Sequence, residues 1–278
     1  MRNRTLGLAL TMAALAIAAC NQAATTGAAL PEASAFPEEY GEFYARPEEL
    51  ASASANAIAK SMRMNVTAMS LGLQVYDKNC ASCHGEDLKG IPAQHTPDLT
   101  DANWRFAGDD LDSAGVNRFP SDVEWTVRYG IRSGHPNARG LEADMVALDP
   151  QYRNEEDIKE FGDTRFLTSD EIGDVAEYVL KIGGQDADAA KAARGDVLFH
   201  DGTKGNCFDC HEEDGTGNAP LGSTNLTRKD LYLYGSDRAS ILESITKGRH
   251  GIMPGFEGQL RPEEIKSVSV YIFARAAK

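Results

Sequence analysis

The sequence predicts an all-α protein built from two tandem copies of one helical unit, set behind an amino-terminal leader and a tether. Two observations carry this prediction: an internal repeat, and helix signals at both ends of each copy. Cys80, Cys83 and His84 match Cys207, Cys210 and His211 at an offset of 127, and the same offset carries Gly90 onto Gly217, Leu99-Thr100 onto Leu226-Thr227 and Gly108 onto Gly235. Val127 and Gly130 then match Ile245 and Gly248 at 118, and Glu171-Ile172, Val175 and Tyr178 match Glu264-Ile265, Val268 and Tyr271 at 93. The first copy therefore carries extra residues, near Asp110 to Phe119 and again near Ala147 to Phe161.

Residues 1–19 read as an export leader. Arg2 and Arg4 form a basic start, Leu6 to Ala19 an apolar run too short to span a bilayer, and Ile17-Ala18-Ala19-Cys20 its end. This is similar to a bacterial lipoprotein signal, whose lipobox is an aliphatic residue, two small residues and Cys. The resemblance implies that Cys20 is lipidated and anchors the chain to a membrane, inner or outer undecided, facing the periplasm. Residues 20–50 are expected to be a flexible tether; Ala, Thr, Ser and Pro dominate as far as Pro37, and the aromatics Tyr40, Phe43 and Tyr44 suggest packing onto a domain.

Domain 1 is expected over 51–184 and domain 2 over 185–278. Alanines with Met62, Met64 and Met69 read as helix leading into the first. Each copy opens with a helix-like run, Gly72 to Tyr76 and Gly195 to Phe199, and closes with a helix. Thr168 with Glu171 makes a capping box, Gly183-Gly184 a stop, and Pro262 a first helical residue. Within each copy, a Gly on the opening helix with an aromatic on the closing one, Gly72 with Tyr178 and Gly195 with Tyr271, is expected to let two helices cross closely.

Cys-x-x-Cys-His is the chemistry-bearing motif. Two thiols at this spacing add across the vinyl groups of a haem, and the adjacent His becomes an axial iron ligand. A zinc ribbon needs its Cys pairs about 15 to 20 residues apart, whereas these stand over a hundred apart, and neither zinc nor redox disulfides explain the His after each pair. Four of the five cysteines are thus consumed by two covalent haem c groups, and Cys20 is the fifth. The formal net charge is -14, and loss of Arg2 and Arg4 with the leader makes it -16. Such acidity disfavours nucleic acid or an anionic membrane surface as partner and favours a basic docking face. Asp109, Asp110 and Glu212-Glu213-Asp214 are candidates for an acidic rim, against the simpler reading of solvated charge.

The order of helix, haem motif, loop and closing helix is similar to the class I cytochrome c fold, in which a later Met supplies the second axial ligand. That resemblance selects Met253, in Gly248-Arg249-His250-Gly251-Ile252-Met253-Pro254, for the second copy, with His250 as rival, and Met145 for the first, with His135 or an open position as alternatives. His95 and His200 are expected at the surface. Arg105, Arg128, Arg132 and Arg139 are candidates for the first haem's propionates, and Arg228 or Arg249 for the second's.

The region from Gly72 to Lys278 resembles the di-haem subunit III of cbb3-type cytochrome oxidases. The resembling residues are Pro97-Asp98-Leu99-Thr100-Asp101-Ala102-Asn103-Trp104, Tyr129-Gly130-Ile131-Arg132-Ser133-Gly134-His135 and the Met253 loop. The oxidase subunit is held by transmembrane helices; here a lipobox and tether stand in their place. The resemblance implies electron transfer through two haems in sequence and does not imply the partner; a dehydrogenase or quinol-oxidising complex as donor and an oxidase or soluble cytochrome as acceptor are expected separately. A carrier rather than an enzyme is expected. The alternatives are a peroxidase-like di-haem enzyme, which needs an open iron position, and a fixed subunit of a respiratory complex.

Overall fold

Among its described residues the computed structural model holds ten α-helices. It describes residues 44–276 apart from 102, 107–118, 141–143, 154, 156–157, 160–165 and 219–220. In chain order they are α1 (Pro47–Ser52), α2 (Ala55–Lys60), α3 (Met62–Asn79), α4 (Ala81–His84), α5 (Phe119–Tyr129), α6 (Ser169–Ile182), α7 (Ala189–Phe199), α8 (Phe208–His211), α9 (Arg238–Lys247) and α10 (Pro262–Arg275). Among the described residues three single-turn 3-10 helices, Pro92–Gln94, Pro150–Tyr152 and Lys229–Leu231, and isolated β-bridges accompany them. The expected leader, Cys20 and most of the tether lie outside the described residues, as do Asp109 and Asp110.

Side-chain caps set the helix starts. Thr168 and Glu171 form the expected capping box, Pro262 opens α10, and Asp188 and Asp237 each accept two backbone N–H groups at the starts of α7 and α9; such a cap contributes about 1 kcal/mol. The helical run expected to lead into the first domain is broken into three helices, because Ser54 and Ser61 cap new starts instead of continuing the old ones. The expected tether also ends sooner than residue 50: Pro47 to Leu50 is already helical, and the Leu50 side chain is fully buried.

From Pro47 onward the chain folds as one unit, and inside it the two copies exchange their closing helices. The opening helix of the first copy, α3, packs on α10, and that of the second, α7, packs on α6. Both crossings are made at glycine. A Cβ on Gly72 would stand 2.3 Å from the Ser267 carbonyl oxygen, and one on Gly195 would stand 2.0 Å from that of Asp174. Tyr76 stacks at 5.7 Å on Tyr271, and Phe199 at 5.1 Å on Tyr178. This corrects the expected pairing of Gly72 with Tyr178 and Gly195 with Tyr271. The reason is symmetry: each closing helix presents the same Glu-Ile, Val and Tyr pattern, so the repeat does not say which opening helix accepts which.

The loops obey the same exchange. Ile131 and Met253 form a two-way backbone pair, with Ile131 N donating to Met253 O at 2.9 Å and Met253 N to Ile131 O at 3.0 Å. Its counterpart joins Arg249 N to Met145 O at 2.7 Å. Three residues beyond each methionine, Phe256 N reaches Val127 O at 3.1 Å and Leu148 N reaches Ile245 O at 3.0 Å. Gly130 and Gly248 sit at positive φ with Met253 O and Met145 O where a Cβ would be, so no side chain fits either crossing. The cores follow suit. Val75, Tyr76, Phe119 and Val127 of the first copy bury against Val268 and Tyr271 of the second, and Ile172, Val175 and Val179 of the first against Ile241 and Ile245 of the second.

Candidate haem sites

Each Cys-x-x-Cys-His motif occupies a single helical turn directly after an opening helix or its short loop. In both, the His N–H donates to the first Cys carbonyl, at 2.9 Å in each copy, and the His carbonyl then accepts from Gly90 or Gly217, at 2.9 and 3.0 Å. Gly85, Gly90 and Gly217 have positive φ, which turns the following loop back over the motif. Thr96 Oγ1 and Ser223 Oγ, equivalent at 127, close that loop on the carbonyls of Cys83 and Cys210.

The second motif opens into a cavity of about 440 Å³ lined by Cys207, Cys210, His211 and Met145, among others, a volume in the range of cofactor sites. His211 Nδ1 is 3.0 Å from the Thr224 carbonyl, which fixes the tautomer with the proton on Nδ1 and leaves the Nε2 lone pair for a metal. Burial pushes the His211 imidazole toward its neutral, ligating form. The same holds for His84, whose Nδ1 is buried with the Pro97 carbonyl as the equivalent acceptor, although no hydrogen bond is completed.

The thiols speak against the rival chemistries. Burial pushes Cys80 up to about 11 and Cys207 up to about 12, the reverse of the lowered values that make thiols reactive. Cys80 and Cys207, held neutral by burial beside a neutral imidazole, suit thioether attachment to a macrocycle. These residues fit a covalent haem in both halves.

The methionines are exchanged along with the helices. Met145, expected beside His84, lies in the core and cavity of Cys207 and His211, and Met253, expected beside His211, packs in the core that holds Cys80. The rival histidines are occupied elsewhere. His135 Nδ1 accepts from Asn137 N at 3.0 Å, its Nε2 faces Glu257 at 3.2 Å, and its ring stacks on Tyr129. His250 Nδ1 lies 3.2 Å from Asp144. Both nitrogens of His200 face backbone carbonyls at 2.8 Å, and His95 stacks exposed against Tyr234.

Sequence reasoning assigned the arginines by copy, and the structure redistributes them. Arg128, Arg139 and Arg228 pair with Glu124, Asp122 and Asp230. Arg105 and Arg132, expected at the first haem, line the second cavity with Arg249. An offset of 127 or 118 could not have revealed this, because it relates the copies without saying which parts meet. The run Glu212-Glu213-Asp214 borders an open cleft of about 600 Å³ that also includes Phe208, Asp209 and Thr216.

Comparison with known proteins agrees with the two motifs. Residues 69–183 match the cytochrome c family, and residues 190–272 match the family described as cytochrome c oxidase, cbb3-type, subunit III. The chain is 36% identical over 225 residues to the cbb3-type oxidase subunit CcoP of Cereibacter sphaeroides, covering 81% of this chain and 67% of that protein. It is 37% identical over 227 residues to subunit FixP of a Bradyrhizobium species, covering 80% and 66%, and 31% identical over 227 residues to CcoP of Azospirillum brasilense, covering 80% and 67%. The chain thus spans about two thirds of the length of these relatives. Among the described residues no helix is long and apolar enough to cross a membrane. With two cytochrome c domains, two haem-attachment motifs and this likeness along four fifths of its length, the chain belongs to the CcoP/FixP family of di-haem c-type subunits of cbb3-type cytochrome oxidases.

Proposed function

We propose that the protein is a lipid-anchored, periplasm-facing electron carrier whose two haems are each ligated by both copies. Cys80, Cys83 and His84 hold the first haem with Met253 as the distal ligand, and Cys207, Cys210 and His211 hold the second with Met145. The haem supplies reversible one-electron oxidation and reduction when bound, and a His/Met pair leaves no iron position for substrate. The observation carrying this reading is the seat of Met145 in the cavity of His211. The protein's part is to hold both ligands in place, through the paired backbone bonds between Ile131 and Met253 and the bond from Arg249 N to Met145 O.

Electrons would arrive from a dehydrogenase or quinol-oxidising complex and leave to an oxidase or soluble cytochrome. A second reading, a subunit fixed in a cbb3-like oxidase, is favoured by the likeness to the oxidase subunits CcoP and FixP; co-purification of further oxidase subunits selects it. Cys20 is proposed as the lipidated residue, tested by loss of fatty-acid labelling in Cys20→Ser. As sequence units, 51–184 and 185–278 are proposed to be the two cytochrome domains, each lending its closing helix to the other.

The weak red absorption band that reports sulfur-to-iron charge transfer tests the ligand set. Two equivalents are expected in the oxidised protein. In the double variant Cys207→Ala/Cys210→Ala, the haem that remains is expected to lose the band on Met253→Ala and keep it on Met145→Ala. The opposite dependence refutes the exchange, and a single equivalent in the unmodified protein reopens a peroxidase-like enzyme.

A further inference from the structure

Arg105 is a buried cation for which the described residues supply no counter-charge. It belongs to the first copy yet reaches into the second cavity, where its Nη1 donates to the Gly222 carbonyl at 3.2 Å and its Nη2 to that of Leu231 at 3.4 Å. Neither acceptor carries a charge, and among the described residues it forms no ion pair. Two more guanidinium groups line the same cavity. Arg132 donates from Nε to the Gly251 carbonyl at 2.7 Å and has Asp144 at 3.1 Å. Arg249 lies over the Tyr234 ring at 4.4 Å, donates to Ser244 Oγ at 2.9 Å and reaches Glu243 at 3.4 Å. Three cations therefore converge on a space whose own carboxylates are Asp144 and Asp209, and Asp209 is already bonded to Asn206. Burial and the neighbouring Arg132 both work against the charge of Arg105, so its place is costly unless an anion joins it.

We propose that Arg105, with Arg132 and Arg249 beside it, is the carboxylate-binding pole of the second cavity and receives the propionates of the haem attached at Cys207 and Cys210. The inference rests on the haem reading of that cavity. It makes two of the three propionate partners residues of the opposite copy, so the second haem is held by the first copy at its carboxylates as well as at Met145. Planar guanidinium groups suit this task, since each can present two parallel N–H donors to a carboxylate. Arg105 is a positioning residue that acts on the iron through the propionate: an unneutralised carboxylate favours the oxidised iron, which carries one more positive charge, so loss of the arginine lowers the potential of that haem.

The test is a spectroelectrochemical titration of Arg105→Gln, Arg105→Lys and Arg249→Gln, with haem per chain counted in each. Arg105→Gln is expected to retain two haems and to weaken reduction of one of them by about tenfold, 59 mV for a one-electron couple. The shifted haem is to be the one that Met145→His also shifts. Arg105→Lys is expected to recover most of the change, and Arg249→Gln gives a second reading should Arg105→Gln fold poorly. Two haems with unchanged potentials in both glutamine variants overturn the proposal, as does a shift confined to the haem that Met253→His controls. Fewer than two haems in the unmodified protein overturns the underlying haem reading instead.

Discussion

Replacing Gly195 by alanine strikes the exchanged helix pair where it is closest. The new Cβ would meet the Asp174 carbonyl oxygen at 2.0 Å, its carbon at 2.5 Å and Val175 N at 2.9 Å, all backbone atoms that move only with the whole of α6. Reaching an ordinary contact of 3.4 Å requires a separation of about 1.4 Å. That loosens Val175, Ala192 and Phe199, which are now at most 1% exposed, and draws Arg194 away from its two 2.7 Å bonds to Asp174. Overpacking of this kind costs about 3 kcal/mol at the upper end of its range, and alanine returns about 1 kcal/mol through helix propensity. The net loss of about 2 kcal/mol corresponds to a fall of about 4 to 8 °C in Tm for a unit of this size. The control lies on the partner helix, where Gly173 has open space around its Cβ; Gly173→Ala is expected to stabilise by up to about 1 kcal/mol. Guanidinium titrations of both variants, followed by far-UV circular dichroism, measure the difference. Gly195→Ala as stable as Gly173→Ala would refute the close crossing of α7 on α6.

Cutting the chain between residues 184 and 188 is expected to leave two fragments that elute together, because α10 of the second copy sits on α3 of the first and α6 of the first on α7 of the second; separate elution of two folded fragments contradicts the exchange. The Glu177 carboxylate accepts from Arg238 at 2.7 and 3.0 Å and from Asp188 N at 2.8 Å, and the Arg238 bond holds its pKa below the usual value. A depressed carboxylate contributes stability that is present above the unfolded value, about 4.3, and is lost as pH falls through the folded one. Glu177→Gln is therefore expected to be less stable at pH 7 and to lose less stability on acidification; an acid limb identical to that of the parent protein rules this out.

The placement of those carboxylates also says how the repeat became one unit. Glu177 ties α6 of the first copy to the cap of α7 and the first residue of α9 in the second, and Lys204 reaches from the loop after α7 to Glu171 at the start of α6. Each of these pairs crosses the exchange. A charge on one copy is thus answered by the other, and the exchanged arrangement gains polar contacts in addition to its two mixed cores.

What the residues alone determined is local in kind. The haem motifs need a fixed spacing of two thiols and an imidazole, the helix starts need a capping side chain or a proline, Met253 was marked by likeness to a ligand loop, and Met145 is the only Met after His84 in the first copy. Each of those signals operates over a few residues, and a repeat offset shows that the copies match. Which copy completes which site is a long-range matter, because both closing helices and both methionine loops present nearly the same surface to either motif. Only the tertiary structure decided it, through backbone crossings at Gly72, Gly130, Gly195 and Gly248, where the absence of a Cβ lets the two copies approach within contact. The same crossings carried Arg105 and Arg132 into the second cavity, where sequence order had set them beside the first haem.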